Sequence, residues 1–164
     1  MSAEHLKSAV ITNATATPKV LSNAAIYAGT MKEAIGVVTP AAAAEANSTY
    51  RFCRIPSNAR VSQVLLKNAA FTTAGAVNIG LYDIDGGAVV DADLFCSALA
   101  LTAAKDFADV TYESTEYTIA ESEKMLWEVL GLSADPCKEY ELTAVVTTAF
   151  DGGSIMAIKV RYAV

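Results

Sequence analysis

From Tyr140 onward apolar and polar positions alternate. Tyr140, Leu142, Ala144, Val146, Thr148 and Phe150 share one side of a strand of period two. After Asp151-Gly152-Gly153 the pattern resumes, with Met156, Ile158, Val160, Tyr162 and Val164 opposed to Ala157, Lys159 and Arg161. Alternation of this period puts every second side chain on one face. An Asp-Gly-Gly stretch between two such runs predicts a hairpin, because Gly supplies the positive φ of a tight turn. The apolar face of that hairpin requires a second sheet to cover it.

The chain upstream reads as further short strands. Thr49 to Ile55 alternates, with Tyr50 and Phe52 opposed to Arg51 and Cys53. A turn at Pro56-Ser57-Asn58 leads into a strand from Arg60 to Asn68 that places Val64 and Leu66 on one face. A loop from Phe71 to Gly75 precedes the alternation of Val77, Ile79 and Leu81 with Asn78, Gly80 and Tyr82. Asp83-Ile84-Asp85-Gly86-Gly87 reads as a turn and not a calcium loop, since the third ligand position and the distal Glu of an EF-hand are absent. Asp91-Ala92-Asp93 predicts the cap of a short helical turn into Leu94 and Phe95. Ala98 to Leu101 reads as a strand, and so does Asp109 to Ile119, which is rich in Thr, Tyr and Val. Glu123 to Leu130 is the helical candidate: Leu126, Val129 and Leu130 share a face and Gly131 follows its end. Trp127 within it is a core or interface anchor, and Asp135-Pro136 turns the chain toward the final strands. About eight short strands at even spacing, with almost no helix, predict a two-sheet β-sandwich or a barrel.

Residues 1–48 differ in texture. They are rich in Ala, Thr, Ser and Asn, and Pro18 and Pro40 punctuate them. Short apolar pieces, Ala9-Val10-Ile11 among them, interrupt the polar runs. We read residues 1–24 as an extended arm and residues 25–164 as the sandwich domain, with one or two strands from about Ile26 to Val38 and a loop at Ala41 to Ala44.

Composition narrows the partners. The chain has 164 residues, 53% of them hydrophobic and only 18% charged, below the ~25% usual for a soluble domain. So little charge implies apolar surface hidden in an oligomer. A net charge of −6 and a pI near 4.7, with no run of Lys or Arg, exclude nucleic acid as a partner held by its phosphates. No apolar stretch reaches the ~18 residues that span a membrane. The N-terminus lacks a signal-peptide layout, so synthesis in the cytoplasm is the expectation.

Chemistry is sparse. The single His5 near the terminus anchors no catalytic triad, no glycine-rich phosphate loop precedes a helix, and the acid pairs Asp83/Asp85, Asp91/Asp93 and Glu121/Glu123 fall in turns. Neither an enzyme, a metal site nor a cofactor is expected. Cys53, Cys96 and Cys137 have no Cys-x-x-Cys spacing. They read as free thiols acting as small hydrophobes. The alternative is a disulfide among them, within or between subunits, formed outside a reducing compartment.

Three runs are familiar together: Arg54-Ile55-Pro56-Ser57-Asn58-Ala59-Arg60-Val61-Ser62; Ile79-Gly80-Leu81-Tyr82 with Gly86-Gly87-Ala88-Val89-Val90-Asp91-Ala92-Asp93; and Leu126-Trp127-Glu128-Val129-Leu130-Gly131-Leu132-Ser133-Ala134-Asp135-Pro136, followed by the Gly-Gly stretch and Lys159-Val160-Arg161-Tyr162. Over residues 45–164 the chain resembles a family of small virion structural proteins of tailed bacteriophages. The resemblance implies a jelly-roll-like sandwich that decorates, or cements, the outer surface of the assembled head. It implies homotrimers bound to the major capsid protein, in a virion assembled in the host bacterial cytoplasm. The arm residues Val10, Ile11, Val20 and Leu21 then become the candidate interface. Two rivals share the fold: a collar or tail component, and a receptor- or carbohydrate-binding module with an aromatic platform drawn from Tyr50, Tyr82, Tyr112 and Tyr117.

Overall fold

The computed structural model describes residues 6–40, 43–71 and 74–164. His5, residues 41–42 of the Ala41–Ala44 stretch and residues 72–73 of the loop after Phe71 lie outside them. Among the described residues, eight strands form two four-stranded antiparallel sheets. They are β1 (Met31–Val38), β3 (Thr49–Pro56), β4 (Arg60–Asn68), β5 (Ala76–Asp83), β6 (Val89–Ala100), β7 (Lys105–Asp109), β8 (Glu139–Thr148) and β10 (Met156–Ala163). The first sheet runs β1-β10-β4-β7 and the second β3-β8-β5-β6. With β5 and β6 excepted, consecutive strands of this set lie in opposite sheets, which is the double Greek key of a jelly roll. The fold is an all-β, jelly-roll two-sheet sandwich.

The hairpin expected at the C-terminus is not formed. β8 pairs with β3 and β5, while β10 pairs with β1 and β4 in the other sheet. The Asp-Gly-Gly stretch is therefore a corner between sheets. Short β2 (Ala43–Ala44), on the crossover from β1 to β3, pairs there with β9 (Phe150–Asp151), on the crossover from β8 to β10. Phe150 is buried at this corner against Phe71, ring centroids 4.5 Å apart. Both predicted faces still point inward: Leu142, Ala144 and Val146 from β8 and Met156, Ile158 and Val160 from β10 are fully buried. Val61, Val64, Leu66, Val77, Ile79 and Leu81 complete the middle of the core.

Four local expectations are corrected. Asp91-Ala92-Asp93 does not cap a helix; it lies in the first half of β6, whose Leu94, Phe95 and Cys96 are buried. Asp109 to Ile119 is no strand beyond Asp109. Its residues cross the open side of the sandwich, where Val110 N–H donates to Val64 O at 2.9 Å, Thr111 Oγ1 accepts from Val64 N–H at 2.7 Å and the buried Tyr117 hydroxyl donates to Val61 O at 2.8 Å. The predicted helix shrinks to α2 (Leu126–Val129), because Leu126 N–H and Trp127 N–H are claimed by the carbonyls of Ala59 and Ser57; Gly131, at φ +69°, ends it as expected. The strand read from Ile26 begins at Met31, after a turn at residues 24–28.

The alternation in β3 is also broken. Arg51 opposes Thr143 and Cys53 opposes Leu142, leaving Phe52 as the extra residue of a bulge. The bulge puts Arg51 and Arg54, three apart, on the same outer face. It also brings the Phe52 backbone onto β1, where a Cβ on Gly36 would lie 2.2 Å from Phe52 O. Only glycine allows that approach, and it closes one side of the sandwich.

Lys159 lies on the opposite face of β10 from the buried Ile158. Its side chain is 22% exposed, 3.6 Å from Glu33 and 4.6 Å from the Phe107 ring. Ile158→Ala should cost about 2–5 kcal/mol, as for large-to-small core changes. Lys159→Ala, losing only a partly screened pair, should cost under about 1 kcal/mol. Thermal unfolding of both beside the parent checks the register of β10, and equal losses would contradict it.

Candidate functional site

Before β1 the chain builds a small structure of its own. Ser8 caps α1 (Ala9–Thr15), its hydroxyl accepting from Ile11 N–H at 3.3 Å. No side chain of α1 is buried, so the expected extended arm carries about two exposed helical turns. Val20 N–H then bonds back to Asn13 O, and Asn13 Nδ2 donates to Ser22 Oγ. The fold-back leaves a concavity of 310 Å³ lined by Val10, Ala14, Val20, Leu21 and Tyr27. Of the four candidate interface residues, Val10, Val20 and Leu21 meet there; Ile11 points elsewhere and is half exposed. Ala25 is the first buried residue of the described chain, and Arg60 Nε donates to its carbonyl at 2.6 Å, fixing the segment to the start of β4.

Apolar exposure continues along β1. Met31, Ile35 and Val37 are 49%, 53% and 61% exposed on its outer side, alternating with the more covered Ala34, Gly36 and Val38. Apolar residues on both sides of the strand do not by themselves distinguish its outward face from its inward one. Beside these residues Ala157 borders a second concavity of 420 Å³, shared with Ile155, Lys67 and Lys105. Among the described residues no helix is long and apolar enough to cross a membrane.

The outer face of the second sheet is of the opposite kind, charged and internally satisfied. Arg51 donates to Glu141 at 2.5 Å and to the carbonyls of Asp83 and Gly87, with its guanidinium 5.3 Å from the Tyr82 ring centre. Arg54 bridges Asp85 at 2.6 Å and Glu141 at 3.3 Å, and Lys138 reaches Asp83 at 2.6 Å. The hydrogen bond from Arg51, foremost, holds the Glu141 carboxyl below its usual range. This network ties down the β5–β6 turn.

Cys53, Cys96 and Cys137 are free thiols, half-buried, buried and exposed in that order. Burial pushes the Cys53 thiol up to about 11 and Cys96 to about 12, so both are protonated and unreactive at neutral pH. The tyrosines proposed as a platform do not form one. Tyr82 and Tyr117 are buried, Tyr50 is partly covered, and Tyr112 stacks on Tyr117 with centroids 5.8 Å apart.

On the β6–β7 side, oxygens of Asp91, Asp93 and Glu116 all lie within 4.8 Å of one another. A hydrogen bond to Asp91 and repulsion from Asp91 and Asp93 push the Glu116 carboxyl up to about 7.

No family model matches this sequence, and no curated protein matches it. Solved structures do. A chain of the cyanophage Pam1 capsid asymmetric unit aligns with a TM-score of 0.55 at 16% identity, covering 83% of this chain and 86% of that one. A chain of the capsid of Ralstonia phage GP4 aligns with a TM-score of 0.59 at 13% identity, covering 82% and 84%. At such identities the likeness is one of fold: this jelly roll is a fold that phage capsids contain.

The Glu116 shift carries a stability consequence. A carboxyl whose folded value exceeds its unfolded one binds more protons when folded, so the contribution of Glu116 is largest in acid and is lost as pH rises from about 4.5 to about 7. Glu116→Gln should therefore flatten the fall in melting temperature across that window relative to the parent. Parallel curves for the two proteins would contradict the arrangement of the three carboxyls.

Proposed function

We propose that the protein is a capsid decoration, or cement, protein of a tailed bacteriophage, a homotrimer that binds the major capsid protein on the outer surface of the assembled head. The observation that carries this reading is the apolar surface outside a complete core. Leu6, Ile11, Leu21 and Tyr27 stand 84%, 50%, 87% and 61% exposed, and β1 exposes Met31, Ile35 and Val37 as well. A sandwich already filled by its two sheets has no use for these side chains, and exposed apolar patches mark interaction sites. The resemblance of residues 45–164 to phage virion proteins and the fold shared with the Pam1 and GP4 capsid chains support the same reading. Net charge of −6 favours the outer surface over one facing DNA.

The mechanism needs no catalysis. A protein that binds the closed shell and not the ruptured one stabilises it by mass action, growing with occupancy and affinity. The sandwich supplies a rigid body, and the arm of residues 1–24 supplies apolar contact to the shell. Synthesis in the host cytoplasm and assembly there complete the cycle.

Adding the protein to undecorated heads should raise the temperature at which they rupture, and no shift at saturation would refute cementing. Deleting residues 1–24 should leave the sandwich folded, with an unchanged near-ultraviolet spectrum, while binding to heads weakens at least about tenfold, the loss expected from ~1.4 kcal/mol of contact. Failure of the truncated chain to fold would instead make the arm part of the core.

A further inference from the structure

The arm differs from the rest of the chain in charge as well as in exposure. Residues 6–31 hold Lys7 and Lys19 and no acid, a net of +2 in a chain of −6. Neither lysine enters an ion pair among the described residues, whereas seven other cations do.

None of residues 6–24 is buried, and α1 has only seven residues. A free helix of that length is marginal in water, where ~12–15 residues are needed. The fold-back is rooted by Arg60, which donates to Ala25 O at 2.6 Å and to Ser122 O at 3.3 Å. That joins the end of the arm to the start of β4 and to the turn at Ile119–Glu121. Before this root lies the concavity of 310 Å³. Val10, Val20, Leu21 and Tyr27 make its wall apolar, and Lys19 is the charged residue of its lining. Such a wall can be filled by an apolar side chain, and the cation in it selects what stands beside that side chain.

We propose that this concavity receives an aliphatic side chain from an acidic segment of the major capsid protein, with flanking carboxylates drawn to Lys19 and Lys7. The inference rests on the proposed function, in which the arm contacts the shell, and specifies the chemistry of what the arm meets there. Charge complementarity carries the choice. A basic segment would set like charges against each other, which costs affinity. A neutral apolar segment would cover Lys19 and leave it unpaired, and an unpaired buried charge is costly. A bilayer fits poorly in shape and in number. Its flat surface does not fill a concavity, and two lysines fall short of the ~4–8 basic residues that mark lipid binding. An acidic segment satisfies the cations and covers the apolar wall together, and it braces a helix too short to stand alone.

The test is binding of the full chain to undecorated heads, read as association and dissociation rates. Lys7→Glu with Lys19→Glu should slow association about tenfold or more, since rim charges act mainly on the encounter. Lys7→Gln with Lys19→Gln, which removes charge without reversing it, should slow association less, and salt should slow the parent more than either variant. Leu21→Ser with Tyr27→Ser should speed dissociation about tenfold, the effect of emptying an apolar socket. Lys67→Glu with Lys124→Glu makes the same change in net charge elsewhere and should leave both rates as in the parent. All these side chains are exposed, so the fold is kept, and circular dichroism checks it. A photo-crosslinking phenylalanine analogue in place of Tyr27 should join a shell-protein peptide in which Asp and Glu outnumber Lys and Arg. Unchanged rates in the arm lysine variants, or a crosslinked peptide of net positive charge, would overturn the inference and leave cementing standing. So would binding to vesicles of phosphatidylglycerol and phosphatidylcholine that depends on these lysines while binding to heads does not. A parent that fails to bind heads at all would refute the proposed function and this inference with it.

Discussion

Two sheets must share one core, and the chain visits them alternately. That constraint organises the rest. β8 and β10 are neighbours in sequence, yet the apolar residues of each approach the other only across the sandwich, from opposite layers. Fully burying a Val, Leu or Ile side chain stabilises by about 1.5–3 kcal/mol, and here each such contribution depends on strands from distant parts of the sequence being in place. The crossovers are consequently under tension to stay short and ordered. The pairing of β2 with β9, with Phe150 packed on Phe71, fastens two of them to each other. At the β1 edge the Phe52 bulge over Gly36 does the same between the sheets. A fold of such non-local contacts gains little until most of it has formed.

The sequence was most readable where a signal is local. Alternation marked β4, β5, β8 and β10, and it identified the inward side chains correctly even though the partner strands were misassigned. A hairpin arm and a strand that switches sheets carry the same period of two, and Gly152-Gly153 suits a corner as well as a tight turn. Only the competition among distant strands for pairing separates the two. Asp91 and Asp93 illustrate the converse. As isolated residues they favour a helix cap, but Leu94, Phe95 and Cys96 immediately after them are needed in the core, and burial decided the conformation. Between Val110 and Tyr117 the strand-favouring composition serves packing without a ladder, through single hydrogen bonds to Val61 and Val64.

The candidate site was legible only in part. Val10, Val20 and Leu21 were named from their apolar character, and the fold-back after α1 does gather them. Met31, Ile35 and Val37 were not separable from a buried face by letters alone, since an edge strand with an apolar outer side alternates less than one whose outer side is polar. The Arg51–Arg54–Glu141 network was invisible for a different reason: it depends on one inserted residue, and a bulge leaves no mark in the period until the partner register is known.

Charge shows how a body with only 18% charged residues can still present distinct sides. Most cations are committed internally. Three ion-paired cations hold the outer face of the second sheet and two more join β1 to β10 through Glu33. Such pairs, half in water, add little to stability, but they neutralise the surfaces on which they sit. What remains uncommitted among the described residues includes Lys7, Lys19 and Lys32 and a group of carboxyls, Asp91, Asp93 and Glu116, close enough to raise Glu116 to about 7. Self-repulsion within that group is an unfavourable term that the isolated chain retains. A partner that brings positive charge removes it, and a partner surface that also carries exposed apolar side chains removes water from both at once.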